Sequence, residues 1–141
     1  MNAEWAASIA SAAHLGQKDK AGNPLMWHLA DVAAIVNGKG LPDLYEVVAW
    51  LHDLYEDGEH AGRVMAAETV SYSIGAALPY VRALTRVEGE RYFDYIKRVK
   101  AHSKIAVSVK MADIEDHLNK RDSIPSSLIK RYEKALKILA A

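Results

Sequence analysis

The chain contains no cysteine. That removes disulfides, a thiolate nucleophile, zinc fingers and cysteine-held iron–sulfur centres, so any metal must be bound by His, Asp or Glu. It also has no net charge, since 18 Lys plus Arg balance 18 Asp plus Glu in 141 residues. Without an overall field to draw in a polyanion, neither nucleic acid nor an acidic membrane surface is expected as a partner. No apolar run approaches the roughly 20 residues needed to span a bilayer. Met1 to Ala12 carries Glu4, Ser8 and Ser11 where a secretory signal would be basic and then apolar, so a cytoplasmic protein is expected. The length suits one core better than two, and residues 1–141 are read as a single domain.

Proline and glycine are sparse, at four and eight residues, and fall between stretches whose apolar residues recur three and four apart. This spacing predicts an all-α fold. A first helix is expected over Asn2 to about Leu15, closed by Gly16, with Gln17 to Pro24 as a polar loop. The second runs from Leu25 to about Asn37, with Trp27, Val32, Ile35 and Val36 as its apolar contribution, and is stopped by Gly38 and Gly40. A third is expected from Pro42, a residue suited to a first helical turn, to about Asp57, burying Leu44, Val47, Val48, Leu51 and Leu54 and ended by Gly58. Glu59 to Glu90 reads as one or two helices broken near Gly75 and Pro79. Glu90 to His102 and Ile124 to Leu139 are amphipathic helices. Between them Lys104 to about Lys120 opens with apolar residues on nearly every face, the pattern of a helix through the middle of a bundle.

Polar residues inside these apolar runs are where chemistry is expected. His52 and Asp53 interrupt a run from Val47 to Leu54, Asp113 sits among Met111, Ala112 and Ile114, and His28 stands between Trp27 and Leu29. A buried carboxylate costs several kcal/mol unless it is paired, hydrogen-bonded or metal-bound. Taken singly, each is as well read as a hydrogen-bonded core residue or half of an ion pair. Taken together, two imidazoles and two carboxylates on three helices make a nitrogen and oxygen set suited to Mn²⁺, Fe²⁺, Co²⁺, Ni²⁺ or Zn²⁺.

Asp53, Glu56 and Asp57, at i, i+3 and i+4, would share one helix face, where like charges repel and the helix dipole disfavours them. A metal that neutralised Asp53 would leave Glu56 or Asp57 to orient or deprotonate water, although a solvated acidic helix end is the alternative. Lys18 and Lys20 can meet a phosphate or lie in a solvated loop. Lys110, three residues before Asp113, can pair with that carboxylate or contact a phosphate.

His28, then His52-Asp53 and a distant Asp113, resembles the H…HD…D signature of the HD-domain phosphohydrolases, an all-helical superfamily. Ala13-His14-Leu15-Gly16-Gln17, Lys20-Ala21-Gly22-Asn23-Pro24, Leu51 to Asp57 and Val109 to Asp113 are similar to the hydrolase domain of the Rel/Spo enzymes and their small stand-alone relatives. Those enzymes remove the 3′-pyrophosphate of guanosine tetra- and pentaphosphate using Mn²⁺. The resemblance, over about residues 10 to 135, implies a single helical HD-domain bundle that ends as a hydrolase alone and binds one Mn²⁺ through His28, His52, Asp53 and Asp113. It implies Glu56 and Asp57 as the catalytic pair and Lys20 as a contact to the substrate phosphates, and Lys18, Lys110 and His117 are taken with it as candidate substrate contacts.

Three positions depart from the family: Asp19 stands where an Arg packs on guanine, Leu25 replaces a common aromatic, and His117 replaces an Asn. On that basis Asp19→Arg is expected to raise guanine selectivity. The expected substrate is therefore a nucleotide phosphate or pyrophosphate ester, with guanosine tetraphosphate foremost. Another nucleotide acted on by the same fold, or a non-catalytic nucleotide sensor, are the alternatives, and a homo-oligomer is left open.

Overall fold

The computed structural model describes residues 2–56 and 75–141, and among these every regular element is helical. The helices are α1 (Ala3–Ala13), α2 (Leu25–Gly38), α3 (Asp43–Leu51), α4 (Leu78–Ala83), α5 (Tyr92–His102), α6 (Lys104–Asn119) and α7 (Ser126–Ala140), with a 3-10 turn at Arg121–Ser123. Lys18 and Pro24 form an isolated β-bridge across the loop that follows α1.

Local chemistry sets several boundaries. Asn2 Oδ1 accepts the Trp5 backbone N–H at 2.9 Å, which satisfies one of the free donors at the start of α1. The chain turns away after α1 through Gly16, whose φ of +77° lies in the left-handed region. Ser103 adopts extended backbone between α5 and α6, and its hydroxyl accepts from Ala106 N–H at 3.1 Å. One residue therefore ends α5 and caps α6.

The central position expected for Lys104 to Lys120 is what α6 occupies, packed against α2, α3, α4, α5 and α7. Its buried residues point to several sides: Ala106, Val109, Ala112 and Ile114 join the apolar core, whereas Asp113 and Asp116 do not. On the far side α3 packs against both α1 and α2. The core there is built from small and branched residues, among them Ala6, Ile9, Val32, Val36, Val47, Val48 and Leu51.

Three expectations are corrected. The third helix stops at Leu51, and residues 52–56 form turns, with Leu54 N–H bonded to Leu51 O and Glu56 N–H to Asp53 O. These bonds span three residues instead of four, so Asp53 and Glu56 do not lie on a helix face. Trp27 is 60% exposed and contributes little to the core, because burying its neighbours His28 and Leu29 turns it outward. Pro79 does not break a helix but sits in the first turn of α4, where its missing N–H is no loss. Asp57, Gly58 and the segment to residue 74 lie outside the described residues.

Candidate functional site

The polar residues that interrupt the apolar runs converge where the start of α2, the end of α3 and the middle of α6 meet. His28 comes from the first turns of α2, His52 and Asp53 follow the last residue of α3, and Asp113 comes from α6. One donor atom from each of His28, His52 and Asp113 falls within 4.8 Å of the others, and all three residues are buried. His28 Nε2 is 2.9 Å from Asp113 Oδ1, and His52 Nε2 is 3.6 Å from the same oxygen. Asp53 stands at the rim, its oxygens 3.4 Å from His52 Nε2 and 3.9 Å from His28 Nε2.

Both imidazoles are aimed by their other ring nitrogen. His52 Nδ1–H donates to Ala49 O at 2.6 Å, since a carbonyl can only accept, and Nε2 is left buried with no hydrogen-bond partner. His28 Nδ1 sits 2.7 Å from Asp116 Oδ2, which turns its Nε2 toward Asp113. An imidazole held by a carboxylate behind it is the usual arrangement for a metal-ligating histidine. Lys120 holds Asp116 in turn at 2.8 Å and reaches Asp31 at the same distance. Two inward Nε2 atoms, one of them unpartnered, beside two carboxylates fit a single divalent cation of borderline softness. Asp116 escaped sequence reasoning, although its position three residues after Asp113 puts it on the same face of α6.

The electrostatics are dominated by burial and by the charges that answer it. Burial alone would lower the pKa of His28, but hydrogen bonds to Asp113 and Asp116 outweigh it and raise the value to about 10. In His52 burial acts the same way and is outweighed mainly by the charge of Asp53. For Asp113 burial would push the carboxyl up, yet Lys110 and the surrounding imidazoles hold it well below the usual range. A proton between His28 and Asp113 thus occupies the kind of position a metal cation would compete for.

Lys110 Nζ is 2.8 Å from Asp113 Oδ2, mostly buried, and 5.0 Å from the Tyr95 ring centroid, so it serves as that carboxylate's counter-ion. His117 lies 3.3 Å from Asp113 Oδ1 and is stacked between His28 and Tyr132, with ring centroids 4.7 and 5.0 Å away. Glu56 sits at the mouth with one side open to solvent. Its Oε1 accepts the Arg86 N–H at 2.9 Å, and the protein crowded around its other side pushes its pKa up. Lys18 and Lys20, with the two imidazoles and Asp53, line a cleft of about 420 Å³ over these donors. Asp57, the other expected catalytic carboxylate, falls outside the described residues.

Asp19 has a local role. Its Oδ1 accepts the N–H groups of Ala21 and Asn23, each at 2.9 Å, and so shapes the loop that carries Lys20. Comparison with models of known protein families and with curated protein sequences gives no match for this chain.

Proposed function

We propose that the protein is a metal-dependent phosphohydrolase that cleaves a phosphate or pyrophosphate ester of a nucleotide, with guanosine tetraphosphate as the foremost substrate. The observation that carries this reading is the buried, unpartnered Nε2 of His52, facing the same carboxylate as His28 Nε2 beneath an open cleft. His28, His52, Asp53 and Asp113 would hold one divalent cation, Mn²⁺ in the first instance. When bound, such a cation supplies Lewis acidity to a phosphoryl oxygen and lowers the pKa of water.

The remaining work falls to the chain's own groups. Glu56, its pKa raised by burial and its Oε1 held by the Arg86 N–H, is placed to take a proton at the free oxygen. Asp57, its partner in the HD-domain resemblance, would share that task. Lys20, on the loop over the cleft, offers a cation to the substrate phosphates. The Asp116 carboxylate keeps the His28 ring in register through its Nδ1.

A panel of nucleotide phosphate and pyrophosphate esters, incubated with and without Mn²⁺ and with a chelator, tests the proposal. Metal-dependent release of phosphate or pyrophosphate is expected, strongest for guanosine tetraphosphate. Glu56→Gln should keep its metal and lose about 100-fold or more in turnover. Metal retention with no turnover of any ester would instead make the domain a nucleotide-binding sensor. One observation favours a second reading, that of an HD-type nucleotidase with a different base preference. Asp19, tied into its own loop, puts no guanidinium where a guanine would stack.

A further inference from the structure

Three imidazole nitrogens, and not two, face a single carboxylate oxygen. His28 Nε2, His117 Nε2 and His52 Nε2 stand 2.9, 3.3 and 3.6 Å from Asp113 Oδ1. The last two separations exceed the range of about 2.7–3.2 Å usual for an N–H···O bond. They suit another arrangement: donors held about 2.0–2.2 Å from one cation sit about 3.0 Å apart at the right angle of an octahedron and about 3.4 Å apart at the tetrahedral angle. Lys110 takes the other oxygen of Asp113, Oδ2, at 2.8 Å. Oδ1 is therefore the oxygen left for a cation.

The place of His117 on α6 brings it to this oxygen. It follows Asp113 by four residues, about one turn, so the two side chains share a helix face. Its ring is then clamped, with the His28 ring centroid 4.7 Å away at an interplanar angle of 24° and the Tyr132 ring 5.0 Å away at 8°. Stacking on both faces fixes the plane of the imidazole and leaves its edge to make polar contacts. His117 stands outside the tight group formed by the buried donors of His28, His52 and Asp113, and it lines the cleft with its side chain 35% exposed. It keeps a freedom of adjustment that the two buried rings lack.

We infer that His117 is a third imidazole ligand of the cation at this seat and tilts the seat toward Co²⁺, Ni²⁺ and Zn²⁺ relative to Mn²⁺. This is a different role from the substrate contact expected of it in the sequence. The inference rests on the reading of His28, His52, Asp53 and Asp113 as a metal seat. Imidazole suits the later, softer ions of the first transition row, whereas carboxylate and carbonyl oxygens suit Mn²⁺, so each added nitrogen widens the gap between them. With five protein donors a six-coordinate ion still keeps one position for an outside ligand.

Equilibrium dialysis of the full chain against Mn²⁺, Co²⁺ and Zn²⁺, beside the visible spectrum of the Co²⁺-loaded protein, tests this. His117→Phe retains a ring for the stack between His28 and Tyr132 but offers no donor. It should lose about tenfold or more in affinity for Co²⁺ and Zn²⁺, about threefold or less for Mn²⁺, and change the Co²⁺ bands. His117→Asn offers an amide oxygen in place of the nitrogen, and should hold Mn²⁺ better than the Phe variant while losing Co²⁺ and Zn²⁺ to a similar extent. Affinities for all three ions that fall by one common factor in both variants, or Co²⁺ bands that neither variant alters, overturn the inference and leave the four-ligand seat standing. A wild-type chain that binds none of the ions overturns the metal reading and this inference with it. A wild-type chain that binds Co²⁺ through His117 and turns over no ester overturns the phosphohydrolase reading alone.

Discussion

The packing of α1 on α3 and the polar seam where α2, α6 and the end of α3 meet bury side chains to the same depth but hold opposite chemistry. In the first, Ala6, Ile9, Ala10, Val47, Val48 and Leu51 are all at most 5% exposed and wholly apolar. In the second, His28, His52, Asp113 and Asp116 are at most 6% exposed and all polar or charged. The apolar side stabilises the fold by removing hydrocarbon from water, at about 25 cal/mol per Å². The polar side begins with a desolvation penalty that its internal pairs offset only in part. A fold built for stability alone would gain by filling that seam with apolar side chains.

The comparison breaks most sharply at Asp113. Asp113→Ala should abolish metal retention and, by leaving Lys110 buried without a counter-ion, destabilise the protein by about 3–5 kcal/mol. Replacing the pair together, Lys110→Met with Asp113→Leu, should restore most of that stability and none of the metal binding. Denaturant titration beside metal analysis reads both. A single Asp113→Ala variant with an unchanged midpoint would mean that the ion pair does not govern the seam.

Leu51→Ala probes the apolar side. With Leu51 fully buried, a loss of about 2–5 kcal/mol is expected, and metal stoichiometry should hold in the fraction that remains folded. Should metal affinity fall in proportion to stability, the two regions would be one cooperative unit and not separable. A smaller effect is expected at Asp116, whose carboxylate meets the donor set through His28 Nδ1. Asp116→Asn should weaken metal affinity by about 10- to 100-fold while leaving the ligand set intact, as equilibrium dialysis against Mn²⁺ would show.

How far the sequence discloses these two regions differs for physical reasons. The apolar side is legible because helical periodicity and burial are the same signal: Val47, Val48 and Leu51 recur at the spacing of one face. His28, His52 and Asp113 are legible as interruptions of that signal, and the structure brings them together. Asp116 was not, because an acidic residue near the end of α6 looks like part of a solvated helix terminus until its pairing with His28 across 88 residues is known. The end of α3 is hidden in the sequence for a related reason. Apolar spacing continues through Leu54, but the backbone bonds tighten to three-residue turns after Leu51, and no residue type there announces it.

The smallest expected effect belongs to Asp19, and it tests whether the loop over the cleft reads a base or only holds a shape. Its carboxylate accepts from Ala21 and Asn23, its own N–H donates to Asn23 O at 2.8 Å, and its carbonyl accepts from Gly22 at 3.0 Å. Gly22 completes the turn at a φ of +86°, a conformation that side chains other than glycine's resist. Removing the carboxylate takes away a local cap, so Asp19→Ala should cost about 1 kcal/mol, whereas Asp19→Asn keeps an acceptor oxygen and should cost less. Asp19→Arg loses the same two bonds, and its guanidinium would enter a loop whose shape the carboxylate had maintained. Reduced affinity for guanosine and adenosine nucleotides alike is therefore expected of it, despite the gain in guanine selectivity that the HD-domain resemblance suggests. Nucleotide affinities of Asp19→Arg and Asp19→Asn, measured side by side, decide the matter: a selective gain for guanine in the arginine variant alone would show that the loop keeps its form without the carboxylate and that position 19 faces the base.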